Sequence, residues 1–291
     1  LGVTIIIPVL GPLMLDSAES GLLPQSFSFQ EEAFILGLLK ASYPLMQFMG
    51  SPVLGALSDR TGRKPILSYA LLGSVVGYVI FAIGILQGNI WMLFGGRIID
   101  GLTGGNIAVV YSAIADISNE QSKTKNFGLV GMAFGLGFII GPFIGGVTSN
   151  PDVVSWFSYA TPFWLAALLT TANLLLVQFF FPETLETRKN SRISVFSGFY
   201  KFAQAFQMKQ FRTLFSVIFL VFLGFTFFTQ FLDVFLIRKF DFEQIHIGRM
   251  FGYMGIWIAL TQGVITRYVS NYVKPQRGLS VSLLGVSVFV L

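Results

Sequence analysis

The chain contains no cysteine and a single histidine, His246. Disulfides, thiolate chemistry and cysteine-based metal sites are therefore excluded, and a histidine-based metal or catalytic centre has little to draw on. Charge is scarce as well. Asp, Glu, Lys and Arg make up 11% of the residues, against roughly a quarter in soluble domains. A soluble chain of this length needs a polar surface, and this one lacks the residues to build it. No glycine-rich P-loop is present, which disfavours ATP-driven pumping, and no nucleophile–base pair is visible. The first residues lack the basic n-region and small-residue cleavage site of a signal peptide. Accordingly no catalytic residue, cofactor or metal ligand is assigned, and the protein is not read as an enzyme.

What is present is apolar. Hydrophobic residues account for 54% of the chain, with Phe alone occurring 32 times. They gather into stretches of bilayer-spanning length, roughly 20 residues each: 1–15 (short), 34–57, 66–86, 90–114, 127–147, 160–181, 213–236, 248–270, and 279–291, which is still apolar where it stops. Both chain ends fall inside apparent spans, so a fragment of a longer protein is expected. The sequence pI is 9.5, but the basic residues are scattered over short loops, which argues against nucleic acid as a partner and for a lipid bilayer.

Those basic residues set an orientation. Alternate loops carry Arg60, Arg63 and Lys64; Lys123 and Lys125; Arg188, Lys189, Arg192, Lys201, Lys209 and Arg212; and Lys274 and Arg277. The opposite loops have no Lys or Arg until Arg238, Lys239 and Arg249. The positive-inside rule puts the first set, and the N-terminus, in the cytoplasm of a multi-pass protein of the cell (inner or plasma) membrane. The connector 182–212 is then cytoplasmic, and Phe199, Phe202, Ala203 and Phe206 stand at helical spacing for an amphipathic helix lying on the membrane. A faint repeat of about 212 residues, on which Ser270-Asn271 echoes Ser58-Asp59, predicts two six-helix halves. The expected division is 1–181, the connector 182–212, and 213–291 as the start of the second half. Chance similarity among apolar helices is the competing account.

One turn stands out: Gly55-Ala-Leu-Ser-Asp59-Arg60-Thr-Gly62-Arg63-Lys64-Pro65-Ile-Leu67. Its glycines permit close approach and unusual backbone angles. Asp59 ends a helix where its carboxylate can meet Arg63 and the start of another helix. Asp116, at the same end of the fourth span, is a further acid at that depth. In the fifth span, Gly131 and Gly135, and then Gly137, Gly141 and Gly145, recur at four-residue intervals, with Gly146 directly after. Such spacing clears a smooth face for another helix, and Pro142 removes a backbone donor and bends the segment.

Charges inside spans point to coupling. Lys40 and Arg97 each lie about seven residues into their spans, a shared depth of roughly 10 Å. Asp100, three residues after Arg97, is on the same helix face, so the two are expected to form a buried pair. An outer structural salt bridge is the alternative. Nearer the midplane stand Tyr43, Gln47, Asn106, Asn173, Thr229, Gln230, Trp257 and Gln262, either lining a ligand cavity between halves or bonding helix to helix. Asp233 is close enough to the outer face for solvation to be its plain reading.

The turn resembles the signature loop of the major facilitator superfamily, Gly-x-Leu-(Ala/Ser)-Asp-Arg-x-Gly-Arg-Lys-x-x-Leu, and the resemblance extends over essentially the whole chain. Gly96-Arg97 is similar to that family's Gly-Arg element, and Gly137-Phe-Ile-Ile-Gly141-Pro142-Phe-Ile-Gly145-Gly146 looks like its antiporter motif. The Pro8-Val9-Leu10, Ile114-Ala115-Asp116 and Gln262-Gly263 segments narrow this to the tetracycline-resistance-like branch of drug:proton antiporters. The resemblance implies an all-α membrane fold, truncated here to about nine of twelve spans. It also implies alternating access, with Gly55, Asp59, Arg60, Gly62, Arg63, Lys64 and Asp116 as a conformational latch, where simple positive-inside anchoring is the alternative. It implies a fifth helix sealing one route, beyond generic small-residue packing. Arg97, Asp100 and Lys40 are expected to couple protons, although the family's usual residue at position 100 is small and neutral. Tyr43, Gln47, Asn106, Gln230, Trp257 and Gln262 are expected at the cargo cavity. The expected function is proton-driven export of a small amphiphilic molecule by a monomer. A proton-coupled uptake symporter, or a non-transporting sensor or scaffold, remains open.

Overall fold

Helices dominate the computed structural model, which describes residues 2, 4–15, 21–119, 122–188, 193–208 and 212–261, with residues 281 and 285. Among the described residues there is no strand. In chain order the helices are α1 (Ile7–Leu15), α2 (Phe29–Thr61), α3 (Arg63–Leu86), α4 (Ile90–Gly104), α5 (Ile107–Asp116), α6 (Lys123–Thr148), α7 (Thr161–Phe180), α8 (Ser197–Gln207), α9 (Arg212–Phe240) and α10 (Gln244–Leu260). The echo of the signature turn at 270–277, Gln262, and the ninth span apart from residues 281 and 285 lie outside the described residues.

Local chemistry explains several boundaries. Ser28 caps α2: the Glu31 N–H donates to its hydroxyl, while the Ser28 N–H donates to the Glu31 carboxylate at 2.7 Å. This reciprocal box satisfies two donors that a helix start leaves orphaned, and it begins the helix five residues before the apolar stretch does. At 33 residues, α2 is about 50 Å long and outreaches a hydrocarbon core of about 30 Å. Asn89 caps α4 by accepting from the N–H groups of Trp91 and Met92.

The fourth apolar stretch is broken rather than continuous. After Gly104 the helix turns and restarts at Ile107, so the Ala108 N–H reaches Gly105 instead of Gly104. The carbonyl thus left over at Gly104 accepts from Gln47 Nε2 at 3.0 Å. That bond removes the cost of an unpaired peptide group away from water.

Among the described residues, five segments are by length and composition apolar enough to cross a membrane: Arg63–Leu86, Ile90–Asp116, Asn126–Thr148, Thr161–Phe180 and Arg212–Phe240. The apolar window of the last has none of its residues buried, with Phe222 and Phe225 well exposed. Such a surface suits lipid and would be an association hazard in water. The buried core joins α1 (Val9, Leu13, Met14), α2 (Leu36, Leu39), α3 (Phe81, Ala82) and α7 (Phe163, Ala166). Phe81 and Phe163 stack with centroids 4.2 Å apart. Small residues bring α3 and α4 together: a Cβ on Gly96 would stand 2.7 Å from the Gly77 carbonyl.

The connector helix α8 forms where the aromatic spacing predicts it. Its aromatic side chains meet two other helices. Phe199 meets Phe48 of α2 edge-on at 4.7 Å, and Phe202 and Phe206 meet Phe219 of α9 at about 6 Å. Its apolar face has found helix partners, while Phe196 and Tyr200 stay largely exposed.

Candidate functional site

The signature turn folds into a knot of charge. Gly62 has φ +119°, a region that side chains disfavour, and a Cβ there would also run into the Glu183 carboxylate. This single residue therefore reverses the chain from α2 into α3. Arg63 comes back beside the last turn of α2, 5% exposed. Its Nη1 donates to Asp59 Oδ1 at 2.6 Å and to Ser58 Oγ at 2.7 Å, and its Nε donates to Asp116 Oδ2 at 2.8 Å. One planar guanidinium thus ties the ends of α2, α3 and α5, a geometry that lysine could not supply. Lys64 contributes its backbone N–H, which donates to Glu183 at 3.2 Å. Gly55 lies beside α5, where a Cβ would be 3.9 Å from Ala108. Arg60 sits in the last turn of α2.

Glu183 completes the knot, and the sequence reading missed it. Its carboxylate accepts the N–H of Arg63 at 2.8 Å, so an anion caps the positive end of α3. Burial pushes its acidity toward the neutral form, but the backbone donors of Leu185, Arg63, Lys64 and Thr184 outweigh that and hold the carboxyl below its ordinary value. The signal was present in Phe181-Pro182-Glu183-Thr184, an acid just past a helix end. Nothing local said which helix start it would cap, 120 residues away.

The glycine-rich face of α6 meets two neighbours. Gly141 and Gly145 lie against Thr4 and the Ile5 carbonyl, where any Cβ would collide. The Thr4 hydroxyl donates to the Gly137 carbonyl at 2.7 Å. On the other side, Gly248 of α10 packs on the Pro142 carbonyl and Gly146 Cα, and Gly255 packs on Ile139.

Arg97 and Asp100 are both buried, at 7% and 2% exposure, but they form no ion pair. Arg97 lays its guanidinium over the Tyr43 ring at 4.9 Å instead, a cation–π contact. This overturns the expected pairing, for which residues three apart on one helix were the only warrant. Nε and Nη1 of Arg97 and Oδ2 of Asp100 have no hydrogen-bond partner. Beside them opens a cavity of about 660 Å³ whose lining includes Tyr43, Gln47, Asp100, Asn106 and Asn173, with Ser74 and Tyr78 of α3 as polar groups not foreseen. All its lining residues lie between Gly2 and Asn173. Tyr43, Gln47 and Asn106 are thus brought together, whereas Gln230 and Trp257 are elsewhere. Trp257 is 53% exposed and packs on Tyr253.

Lys40 does not join Arg97 and Asp100. It crosses to α9, where its ammonium donates to both Asp233 oxygens at 2.8 and 2.6 Å and to the Gln230 carbonyl at 2.8 Å. Asp233 is 2% exposed, which overturns its reading as a solvated residue. A groove of about 170 Å³ runs alongside, between α2 and α9.

The family model of the Major Facilitator Superfamily matches residues 1–291. The chain is 38% identical over 195 residues to the tetracycline resistance protein, class B, of Escherichia coli, covering 67% of this chain and 44% of that one. It is 38% identical to the class H protein of Pasteurella multocida, covering 63% and 42%. It is 26% identical to the major facilitator superfamily domain-containing protein 10 of Mus musculus, covering 88% and 58%. The fold is similar to that of the human organic anion transporter MFSD10, with a TM-score of 0.68 at 24% identity over 91% of this chain and 68% of that one. The chain spans about half the length of the curated relatives it matches.

Proposed function

The chain belongs to the major facilitator superfamily, a family of transporters and not of enzymes, and from that premise we propose that the protein exports a small amphiphilic molecule in exchange for protons. Residues 1–181 and 213–291 act as one half and the beginning of the other, with alternating access between them. The single observation that carries this reading is the Arg63 knot. A buried cation shared by carboxylates on two helices, with a third acid capping its own helix, ties three helix ends through bonds that break together when those ends part. On the positive-inside reading it closes the cytoplasmic face.

Two further features support export by antiport. The Gly141–Gly146 face of α6 packs helix backbone closely enough to seal one route. Relatives named for tetracycline resistance are 38% identical, and resistance to a drug is what an exporter confers. Asp100 and Arg97, beside the cavity with unpaired polar atoms, take the proton-coupling role. Tyr43, Gln47 and Asn106 contact cargo.

Full-length protein in inside-out vesicles tests this reading, with tetracycline as the probe. Antiport releases protons from acid-loaded vesicles when the drug is added. Proton movement in the same direction as the drug identifies symport instead, and absence of any drug-dependent flux overturns the transport reading.

A further inference from the structure

We propose that Lys40 and Asp233 are the gate that pins the two halves together at the end opposite the Arg63 knot. The inference rests on the alternating-access reading above. It concerns residues that lie outside both the signature turn and the glycine-rich face.

The bond joins α2 of the first half to α9 of the second across 193 residues of sequence. The ammonium is saturated. The ammonium has three donors and finds three acceptors, the two Asp233 oxygens and the Gln230 carbonyl. Asp233 Oδ1 also accepts the Val234 N–H at 2.9 Å. Side-chain exposure is 13% for Lys40 and 2% for Asp233. Helix α1 closes over the same carboxylate, since a Cβ on Gly11 would stand 2.9 Å from Asp233 Oδ2. Three helices therefore converge on one ion pair.

Position along the helices places the pin. Lys40 is eleven residues from the start of α2, and Asp233 is seven from the end of α9. Both helix ends lie away from Arg63, which begins α3 where α2 stops. The halves also meet on this side where Gly248 and Gly255 pack on α6. A second contact at the rim reinforces the pin, with the Arg238 guanidinium 4.9 Å over the Phe29 ring.

Physical chemistry gives the gate a distinctive signature. A buried pair that loses one partner leaves an uncompensated charge, whereas loss of both leaves only packing to repair. A lone buried charge is relieved by water, and the halves admit water by parting. Removing either partner must then favour the state open at this end, and removing both must restore closure. That non-additivity separates a gate from a contact that merely adds stability.

The test uses the full-length protein with cysteines only at Trp91→Cys and Phe240→Cys, exposed at the starting end of α4 and the finishing end of α9. Both carry spin labels, and the distance between them is measured in nanodiscs at pH 5.5 and 8, with and without tetracycline. Lys40→Met and Asp233→Asn each raise the ratio of long to short distances at least tenfold. The pair Lys40→Met with Asp233→Leu returns it to within threefold of the parent, and the exchange Lys40→Asp with Asp233→Lys keeps the short distance. If the parent shifts between two distances while the single variants match it, the gate is overturned and alternating access stands. Additive opening in the double variant also overturns the gate. A single unchanging distance in every sample overturns alternating access itself.

Discussion

Two buried arginines in this chain, Arg63 and Arg97, have nearly the same exposure, at 5% and 7%, and opposite surroundings. Arg63 is bonded to Asp59, Ser58 and Asp116. Arg97 keeps two nitrogens without partners beside a carboxylate oxygen that also lacks one, with the Tyr43 ring as its packing surface. A cation bonded to carboxylates on two helices is a fastener whose removal releases those helices. A cation left without partners carries a desolvation cost that packing does not offset, and its N–H groups can be satisfied only by an acceptor, such as a water oxygen.

The strongest way to break this contrast is Arg63→Ala. It leaves Asp59 and Asp116 facing each other without their cation, and we expect loss of transport together with about 3 kcal/mol of stability. That is the low end for a broken buried pair, because both carboxylates keep water contact. Thermal unfolding in detergent reads it, and Arg63→Lys recovers only part because it lacks the fork. Next comes Arg97→Gln combined with Asp100→Asn. Here transport falls about 100-fold, roughly 2.7 kcal/mol, while the melting temperature is unchanged or raised, since no bonded pair is lost. Loss of stability equal to that of Arg63→Ala would erase the distinction between the two sites.

Glu183→Gln sharpens the comparison from the capping side, at a cost of about 1 kcal/mol. Its pH behaviour has a defined sign. The carboxyl is held below its ordinary value of 4.5, so its contribution is fully present above that value and is lost as pH falls through the lowered folded value. Unfolding curves of the parent bend downward in that acid window, and those of Glu183→Gln do not bend there. The smallest effect is Ser58→Ala, about 0.5 kcal/mol, because Arg63 Nη1 keeps Asp59.

Legibility in the sequence followed distance along the chain. The Asp59–Arg63 contact was readable because the two residues are four apart across a glycine turn. Asp116 was readable as the other acid at the same depth. The Arg97–Asp100 pairing was read from the same kind of local spacing and is absent, because the side chain found the Tyr43 ring on another helix. Helix spacing says which residues share a face, not which neighbour wins. Asp233 shows the same limit: its depth along the helix suggested solvent, and Lys40 from α2 buried it.

By itself the sequence determined the helical class, since scarce charge and spans of about 20 apolar residues leave the backbone no other way to satisfy its hydrogen bonds in a membrane. It also determined the turn at Gly62, because the strain and the charges there are local. Only the tertiary structure decided the partners: Glu183 for α3, Asp233 for Lys40, Tyr43 for Arg97, and the cavity beside Asp100. Those choices depend on which helix faces pack together, and packing is settled by the three-dimensional fit of small residues such as Gly77 on Gly96 and Gly146 on Gly248, not by any pattern along one helix.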